Sequence, residues 1–265
     1  MSLHAKYEEL LRLLEQPAGL VIAFSAGVDS TLLLKAAVTA NRKVLAVTAA
    51  SALRPQREAE EAEVLSGLLG AEHRLIVTDE LSLEGFALNP PNRCYICKKN
   101  LCRSLVELAR AEDYEMVAEG SNQDDLGEYR PGMQAVKEFA LASPLAAVGL
   151  TKAEIRALSH RLALPTWDKP SSPCLATRFP YGTLLTRELL AKVEMGENLL
   201  RELSFTEFRL RSHGDLARLE VSEADFAKAI ALKKTISERL RSLGYQYICL
   251  DLAGLSSGFF DLDFA

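Results

Sequence analysis

No stretch of the sequence is long and apolar enough to anchor the chain in a membrane. Although 48% of the 265 residues are hydrophobic, no apolar run reaches the roughly 18 residues that a membrane-spanning helix needs. Residues 1–15 alternate charges with leucines and lack the apolar core of a signal peptide. We therefore expect a cytoplasmic protein that does not enter a membrane.

The sequence also lacks an excess of basic residues and an even number of cysteines that could all pair in disulfides. The formal net charge is −5, whereas proteins that bind long nucleic acids usually carry excess positive charge. The acidic net charge argues against DNA or RNA as a partner, although it does not exclude a local basic groove. Five cysteines, an odd number, do not predict disulfides in a cytoplasmic chain, so a clustered pair indicates metal binding or catalysis.

Short runs of branched apolar residues alternate with amphipathic segments through the first part of the chain. This alternation predicts an α/β fold with a doubly wound parallel sheet. The predicted strands are residues 20–25, 44–48, 75–78 and 116–118, and the predicted helices are residues 29–40, 54–69, 94–110 and 150–162. Such sheets bind ligands at the carboxyl ends of their strands. The loops after Phe24, Thr78 and Ala118 are therefore expected to line one crevice.

The pattern changes after residue 164. Residues 164–184 contain four prolines and little periodicity, which predicts a long loop with a functional role or disorder. Beyond it we expect a helix at 187–203, a strand hairpin at 207–221, a helix at 224–243 and a strand at 247–252. The sequence thus predicts a main domain over residues 1–184 and a small α+β domain over residues 185–265.

The stretch SAGVDS (residues 25–30) lies between a predicted buried strand and a helix start. Helix-start amides and the helix dipole bind anions such as pyrophosphate, and Gly27 lets the backbone turn and approach the phosphate. Ser25 and Ser30 can donate hydroxyl hydrogen bonds, and Asp29 can hold Mg²⁺. An ordinary strand-to-helix turn with a polar cap is the alternative. The Gly-Lys-Ser/Thr ending of a Walker loop is missing, which disfavours kinase or GTPase chemistry.

SAGVDS resembles the SGGxDS loop of the PP-loop ATP pyrophosphatases, which have an adenine nucleotide alpha hydrolase-like fold. The resemblance implies that the loop binds the β- and γ-phosphates of ATP and that AMP and pyrophosphate are released. Ala26 replaces the first glycine of the motif. If that position has a positive φ, alanine costs on the order of 1 kcal/mol there.

Longer stretches resemble one family over essentially the whole chain, the LarE family of ATP-dependent sulfur transferases. They are RCYICK (93–98), EGSNQDD and EYRPG (119–132), SPLAAVGLTKAEIR (143–156), SSPCLATRFPYG (171–182), FRLRSHGDLARLEV (208–221) and GYQYICLDLAG (244–254). The resemblance implies that ATP activates a carboxylate of pyridinium-3,5-biscarboxylic acid mononucleotide as an adenylate. Sulfur then replaces AMP to give a thiocarboxylate, a step toward the nickel-pincer cofactor of lactate racemase. It also implies a homo-oligomer.

Several charged residues fit anionic ligands. Arg209 and Arg211 alternate on a predicted strand and so share a face, which suits bidentate phosphate binding, and Glu220 lies across the hairpin. The resemblance assigns the arginines to the nucleotide phosphate of the substrate, while a solvated strand face with a salt bridge is the alternative. Arg178 follows the loop cysteine and can hold the substrate. Lys152, at a helix start, fits an ATP phosphate or else is a surface lysine.

Three cysteines are candidates for the sulfur chemistry. Cys94 and Cys97 form a CxxC pair at a predicted helix start, and Cys174 lies in the proline-rich loop. Three thiolates can hold three irons of a [4Fe–4S] cluster and leave the fourth iron open. Some family members have only the cysteine at the position of Cys174 and give up its sulfur, becoming dehydroalanine, whereas others add a pair and are associated with a cluster. The pair here favours the cluster.

Other assignments stay open. The CxxC pair could bind zinc with a fourth ligand from Cys102 or a histidine, although Cys102 is expected in the core and Cys249 is expected to be buried in the last strand. Asp124 and Asp125 could be Mg²⁺ ligands or local caps. The chain could also be a tRNA thiolase, an ammonia-dependent amide synthetase, or a nucleotide-binding or iron–sulfur carrier without activity.

Overall fold

The parallel sheet predicted from the first part of the sequence is present. A computed structural model describes residues 1–41, 43–127 and 131–255. The strands β1 (Leu20–Ala23), β2 (Val44–Ala50), β3 (Glu72–Val77) and β4 (Met116–Ala118) are all parallel, in the order β3-β2-β1-β4. The switch point falls between β1 and β4, where a doubly wound sheet binds its ligands. Thr78 instead follows the edge strand β3.

Helices pack on both faces of this sheet, because its strands carry apolar side chains on both sides. Leu20 and Ile22 of β1 belong to one buried apolar cluster and Val21 belongs to another, as the alternation of a strand requires. The helices are α1 (Leu3–Glu15), α2 (Val28–Ala40), α3 (Gln56–Leu69), α4 (Arg93–Ala111), α5 (Gly132–Glu138), α6 (Pro144–Ala147) and α7 (Lys152–Arg161). Side chains of α1, α2, α3 and α7 enter the first cluster, and those of α4 and α5 enter the second. The doubly wound α/β fold is confirmed.

The helix α7 begins with the capping box that the spacing of Thr151 and Glu154 predicts. The Thr151 hydroxyl accepts a hydrogen bond from the Glu154 amide at 3.3 Å, and the Glu154 carboxylate accepts one from the Thr151 amide at 3.0 Å. Lys6 of α1 forms an ion pair with the same carboxylate at 2.7 Å. The start of α7 is therefore fixed both locally and by the N-terminal helix.

The C-terminal part is a small α+β assembly, as predicted. It contains α8 (Arg187–Glu202), β5 (Phe208–His213), β6 (Leu216–Val221), α9 (Phe226–Ala231), α10 (Lys233–Ser242) and β7 (Tyr247–Leu250). The antiparallel hairpin β5–β6 turns at Gly214, whose φ is 64°, and β7 pairs parallel to β6. Gly196 lets α8 pack closely against β5, since a Cβ there would overlap a Leu210 methyl group.

One helix of this part was predicted wrongly. The single helix expected at 224–243 is divided at Leu232, which has φ −91° and ψ 7°. The sequence has no Pro or Gly at the break. Ala229 of α9 and Ile236 of α10 are both buried in the same apolar cluster, and Leu232 packs against it. Tertiary packing therefore overrides a continuous helical pattern.

The described chain divides into two compact units, and each is discontinuous in sequence. The first comprises residues 1–51, 56–80 and 92–172, and the second comprises residues 52–55, 81–91 and 173–265. The domain boundary expected at residue 184 stays a prediction, because compactness alone does not identify a folding domain. Residues 128–130 of the EYRPG motif and residues 256–265 lie outside the described residues. None of the helices in the described ranges is long and apolar enough to cross a membrane.

Candidate functional site

The phosphate loop leads from β1 into α2. Because the N-cap residue of α2 is Gly27, no cap side chain covers the first helix amides. The hydroxyls of Ser25 and Ser30 lie 3.2 Å apart, and the Ser30 hydroxyl donates to the Gly27 carbonyl at 3.2 Å. The loop thus brings together the three residues expected to bind phosphate, and their role as ligands stays a prediction.

The left-handed residue of the loop is Ala26 and not Gly27. Ala26 has a φ of 51°, whereas Gly27 has an ordinary φ of −85°. The expectation that Gly27 supplies the unusual backbone turn is therefore wrong. The side chain of Ala26 is fully buried in an apolar cluster, so the position holds a methyl group at a conformational cost on the order of 1 kcal/mol.

An ion pair lies beside the loop. Lys152, the first residue of α7, donates its ammonium group to the Asp29 carboxylate, and the Asn122 side-chain amide contacts the same carboxylate at 3.4 Å. The Lys152 backbone amide donates to Asp124 at 2.8 Å. Asp124 therefore caps α7, and Asp125 caps its own turn by accepting from the Asn122 amide at 2.9 Å. Asp29 keeps a carboxylate of the type that binds Mg²⁺, and Lys152 supplies the neighbouring positive charge.

The sequence patterns did not single out Glu119 and Gly120, the two residues that follow β4. A Cβ at Gly120 would lie 3.2 Å from the backbone nitrogen of Ser30, so this glycine permits close contact between β4 and the start of α2. Glu119 is buried and accepts hydrogen bonds from Lys98 at 3.1 Å, Ser143 at 2.7 Å and Ser121 at 2.9 Å. Burial opposes ionisation, but Lys98 and the hydroxyls outweigh it and lower the pKa of Glu119. A glycine two residues after the predicted strand at 116–118 was the available signal.

The CxxC pair lies in the first turns of α4, as predicted. Cys94 is exposed and Cys97 is partly exposed, and a spacing of three residues places both thiols on one side of the helix. The Cys97 sulfur lies 4.0 Å from a carboxylate oxygen of Glu80, which is buried and also accepts from Thr78 at 2.7 Å. The pair is therefore accessible and of the right type for two thiolate ligands.

The other cysteines differ from one another. Cys102 is fully buried, as expected, and burial raises the pKa of its thiol. The expectation that Cys249 is buried is wrong: it lies on the exposed side of β7, while Ile248 and Leu250 pack against the core. All five cysteines lie within the described residues, and none is in a disulfide.

Cys174 belongs to the second unit. It is partly exposed and directly precedes a short 3₁₀ helix, Leu175–Arg178. The Cys174 carbonyl accepts from the Thr177 hydroxyl at 2.8 Å, and the Leu175 amide donates to the Leu53 carbonyl at 2.8 Å. Among the described residues, no three His, Cys, Asp or Glu side chains group closely enough to hold a metal ion. The cluster ligation of Cys94, Cys97 and Cys174 thus stays a prediction.

Buried ion pairs dominate the arginine-rich part of the second unit. Arg178 donates to both oxygens of Glu197, at 2.7 and 3.2 Å, and Arg211 donates to both oxygens of Glu220, at 2.9 and 3.1 Å. Arg209 faces Glu220 in the hairpin register. Burial lowers the pKa of Arg209, and the nearby guanidiniums of Arg211 and Arg178 lower it further. The salt bridge that was the alternative to phosphate binding exists between Arg211 and Glu220, but it is buried and not solvated.

The three arginines Arg178, Arg209 and Arg211 differ in their electrostatic surroundings. Arg178 and Arg211 each occupy a carboxylate in bidentate fashion, which fixes their side chains. Burial, Arg211 and Arg178 lower the pKa of Arg209, while Glu220 and Glu197 act in the opposite direction, and an added anion would further favour its charged form. Phosphate binding by Arg209 and Arg211 stays a prediction.

Comparison with known proteins identifies the family. No family model matches the sequence. An uncharacterised protein of Synechocystis sp. is 40% identical over 97% of both chains, and an uncharacterised protein of Methanocaldococcus jannaschii is 29% identical over 88% of this chain and 89% of its own. The pyridinium-3,5-bisthiocarboxylic acid mononucleotide synthase of Lactiplantibacillus plantarum is 36% identical over 97% of this chain and 94% of its own. The chain belongs to the LarE family, within the PP-loop superfamily.

Proposed function

We propose that this protein is an ATP-dependent sulfur transferase that converts carboxylates of pyridinium-3,5-biscarboxylic acid mononucleotide into thiocarboxylates. The observation that carries the proposal is the 36% identity, over nearly the full length of both chains, to the synthase of the bisthiocarboxylic acid mononucleotide. That product bears two thiocarboxylates, so its synthesis requires replacing carboxylate oxygen by sulfur. The phosphate loop at the switch point of the sheet supports the use of ATP.

ATP solves the chemical difficulty of the reaction. A carboxylate is a poor electrophile, and joining it to AMP creates a good leaving group. The amides at the start of α2, with Ser25 and Ser30, would bind the departing pyrophosphate. Asp29 would hold Mg²⁺, which neutralises phosphate charge. Lys152, paired with Asp29 in this structure, would then be released to contact a phosphate.

The substrate carries a phosphate of its own. Arg209 would bind it, with Arg178 and Arg211 held rigidly beside it by Glu197 and Glu220. Because the ion pairs Arg178–Glu197 and Arg211–Glu220 already fix two of the three arginines, little side-chain entropy would be lost when the substrate phosphate binds.

Cys94, Cys97 and Cys174 would hold a [4Fe–4S] cluster. The accessible, same-sided thiols of the α4 pair fit this donor set. A cluster with three thiolate ligands supplies an open iron that can carry sulfide for transfer to the adenylated carboxylate. The alternative uses Cys174 alone: its thiolate displaces AMP, and loss of the Cα proton with cleavage of the C–S bond leaves dehydroalanine and the thiocarboxylate.

Iron and acid-labile sulfide, measured on protein purified without oxygen, decide between these sources. We expect about four irons per chain in the wild type and in Cys249→Ala, a control at an exposed cysteine, and loss of iron in Cys94→Ala. Iron-free wild-type protein would contradict the cluster. A mass loss of one H₂S after turnover would then assign the sulfur to Cys174.

Pyrophosphate release tests the activation step separately. The wild type should release pyrophosphate only when ATP and the dicarboxylate mononucleotide are both present. No release with this substrate, in protein shown to bind ATP, would overturn the proposed reaction. An RNA-binding titration would separate the tRNA thiolase alternative.

A further inference from the structure

A lysine far away in the sequence contacts the phosphate loop. The ammonium group of Lys169 donates to the Ala26 carbonyl at 3.0 Å and to the Glu61 carboxylate at 2.7 Å. All three residues belong to the first unit. The ammonium group is therefore shared between the left-handed residue of the loop and α3.

The contact of Lys169 with the Ala26 carbonyl controls the direction of the Gly27 amide. The peptide between Ala26 and Gly27 is planar and trans, so its carbonyl and its N–H point in opposite directions. Holding the Ala26 carbonyl therefore fixes the direction of the Gly27 N–H. Ala26 adopts a φ of 51°, which costs an alanine on the order of 1 kcal/mol, so a local restraint on the peptide stabilises this conformation. A charge-assisted hydrogen bond is strong enough to supply that restraint.

We propose that Lys169 is a positioning residue, which holds the Ala26–Gly27 peptide in its left-handed arrangement and so aims the Gly27 amide at the phosphates of ATP. The proposal rests on the proposed function for the identity of the ligand. It also explains how this chain tolerates alanine where the PP-loop pattern has glycine: a distant side chain supplies the restraint that keeps Ala26 in place.

Hydrogen bonds also hold the backbone around Lys169 in place. The Arg156 guanidinium donates to the carbonyls of Trp167 at 2.7 Å and Lys169 at 2.9 Å, and the Lys169 amide donates to the Thr166 carbonyl at 3.1 Å. The Lys169 side chain is 28% exposed. It is therefore anchored at its base and at its tip, unlike a surface lysine that samples many rotamers.

A double-mutant cycle tests the proposal. The proteins are the wild type, Lys169→Met, Ala26→Gly and the double variant, and the ligand is α,β-methylene ATP with Mg²⁺, titrated by calorimetry. Methionine approximates the length of the lysine and removes its charge. We expect Lys169→Met to weaken binding about tenfold when Ala26 is present. In the Ala26→Gly background the loss should be about threefold or less, because glycine adopts positive φ without restraint. The control Lys234→Met, at a lysine that is 87% exposed, should bind as the wild type does.

Two outcomes would overturn the proposal. Unchanged affinity in Lys169→Met would show that the contact does not position the loop. An equal loss in the wild-type and Ala26→Gly backgrounds would show that Lys169 does not act through the conformation of Ala26.

Denaturant unfolding of the same four proteins tests the coupling without ATP. Lys169→Met should lower the ratio of folded to unfolded protein by a larger factor in the wild-type background than in the Ala26→Gly background. Equal effects in both backgrounds would overturn the proposal. Wild-type protein that fails to bind the analogue, yet shows this coupling, would instead contradict the proposed use of ATP.

Discussion

Replacing Gly120 by alanine would place a methyl group against the backbone that begins α2. The new Cβ would lie 3.2 Å from the Ser30 nitrogen, 3.4 Å from the Ser30 Cα and 3.5 Å from the Asp29 carbonyl carbon. Backbone cannot rotate away as a flexible side chain does. Either β4 or the first turn of α2 must therefore move by a few tenths of an ångström.

The size of the effect follows from two opposing contributions. Overpacking of this kind costs about 1–3 kcal/mol, while alanine restricts the unfolded chain and returns about 0.4–1 kcal/mol. We expect Gly120→Ala to lower the free energy of unfolding by about 1–2 kcal/mol, and the melting temperature by about 2–8 °C. The methyl group would also crowd the Ser30 amide, so affinity for an ATP analogue should fall at least about tenfold.

The matched control is Gly67→Ala. Gly67 lies within α3, and a Cβ there would meet no atom of the described residues within 4 Å. This change should raise the free energy of unfolding by about 0.5–1 kcal/mol and leave ATP binding unchanged. Denaturant unfolding and calorimetric titration measure both quantities. If Gly120→Ala stabilises the protein as Gly67→Ala does, the close approach of β4 to α2 is refuted.

Further predictions concern buried charge. Glu119→Gln should lower the free energy of unfolding by about 2 kcal/mol at pH 7. Because the pKa of Glu119 in the folded protein is depressed below its ordinary 4.5, this difference from the wild type should persist above pH 4.5 and shrink as the pH falls below it. A pH-independent difference in denaturant unfolding would contradict this. Arg211→Met should lower the free energy of unfolding by about 1.5–3 kcal/mol, because the buried Glu220 loses its bidentate partner and keeps the ion pair with Arg218 at 3.0 Å. Burial and the guanidiniums of Arg211 and Arg178 disfavour the charge of Arg209, and Glu220 and Glu197 offset only part of this. Arg209→Met should therefore weaken substrate binding and cost less stability than Arg211→Met; an equal loss of stability would refute the distinction.

The sequence predicts the fold well where patterns are local. Each strand of the parallel sheet overlaps its predicted range. The apolar runs of β1 and β2 mark mostly buried strands, whereas the edge strand β3 has no buried residue and begins three residues before its predicted range. The division of the predicted helix at Leu232 has no local signal, since it depends on how α9 and α10 share one core. The exposure of Cys249 follows from strand alternation, which a short final strand makes hard to assign in advance.

At the candidate site, too, local patterns predicted the loop but not its contacts with segments distant in sequence. The stretch SAGVDS predicted a loop between a strand and a helix, which the structure has between β1 and α2, and the condition attached to Ala26 proved relevant, since its φ is positive. The contacts that support the loop come from elsewhere: Gly120 from the next strand in space, and Lys169 from a segment 143 residues away. No periodicity or spacing links such distant residues, because only the folded chain brings them together.

The discontinuity of the second unit has a consequence for how the protein is made. Residues 81–91 belong to that unit, where Phe86 is buried and the Ala87 carbonyl accepts from the Leu185 amide. Ribosomes add about 5–20 residues per second, so this segment waits about 5–20 s for its partners to be synthesised. During that interval Phe86 is an apolar side chain on a nascent chain without its final neighbours. Chaperone binding to stalled chains should therefore fall once residue 185 has left the ribosome.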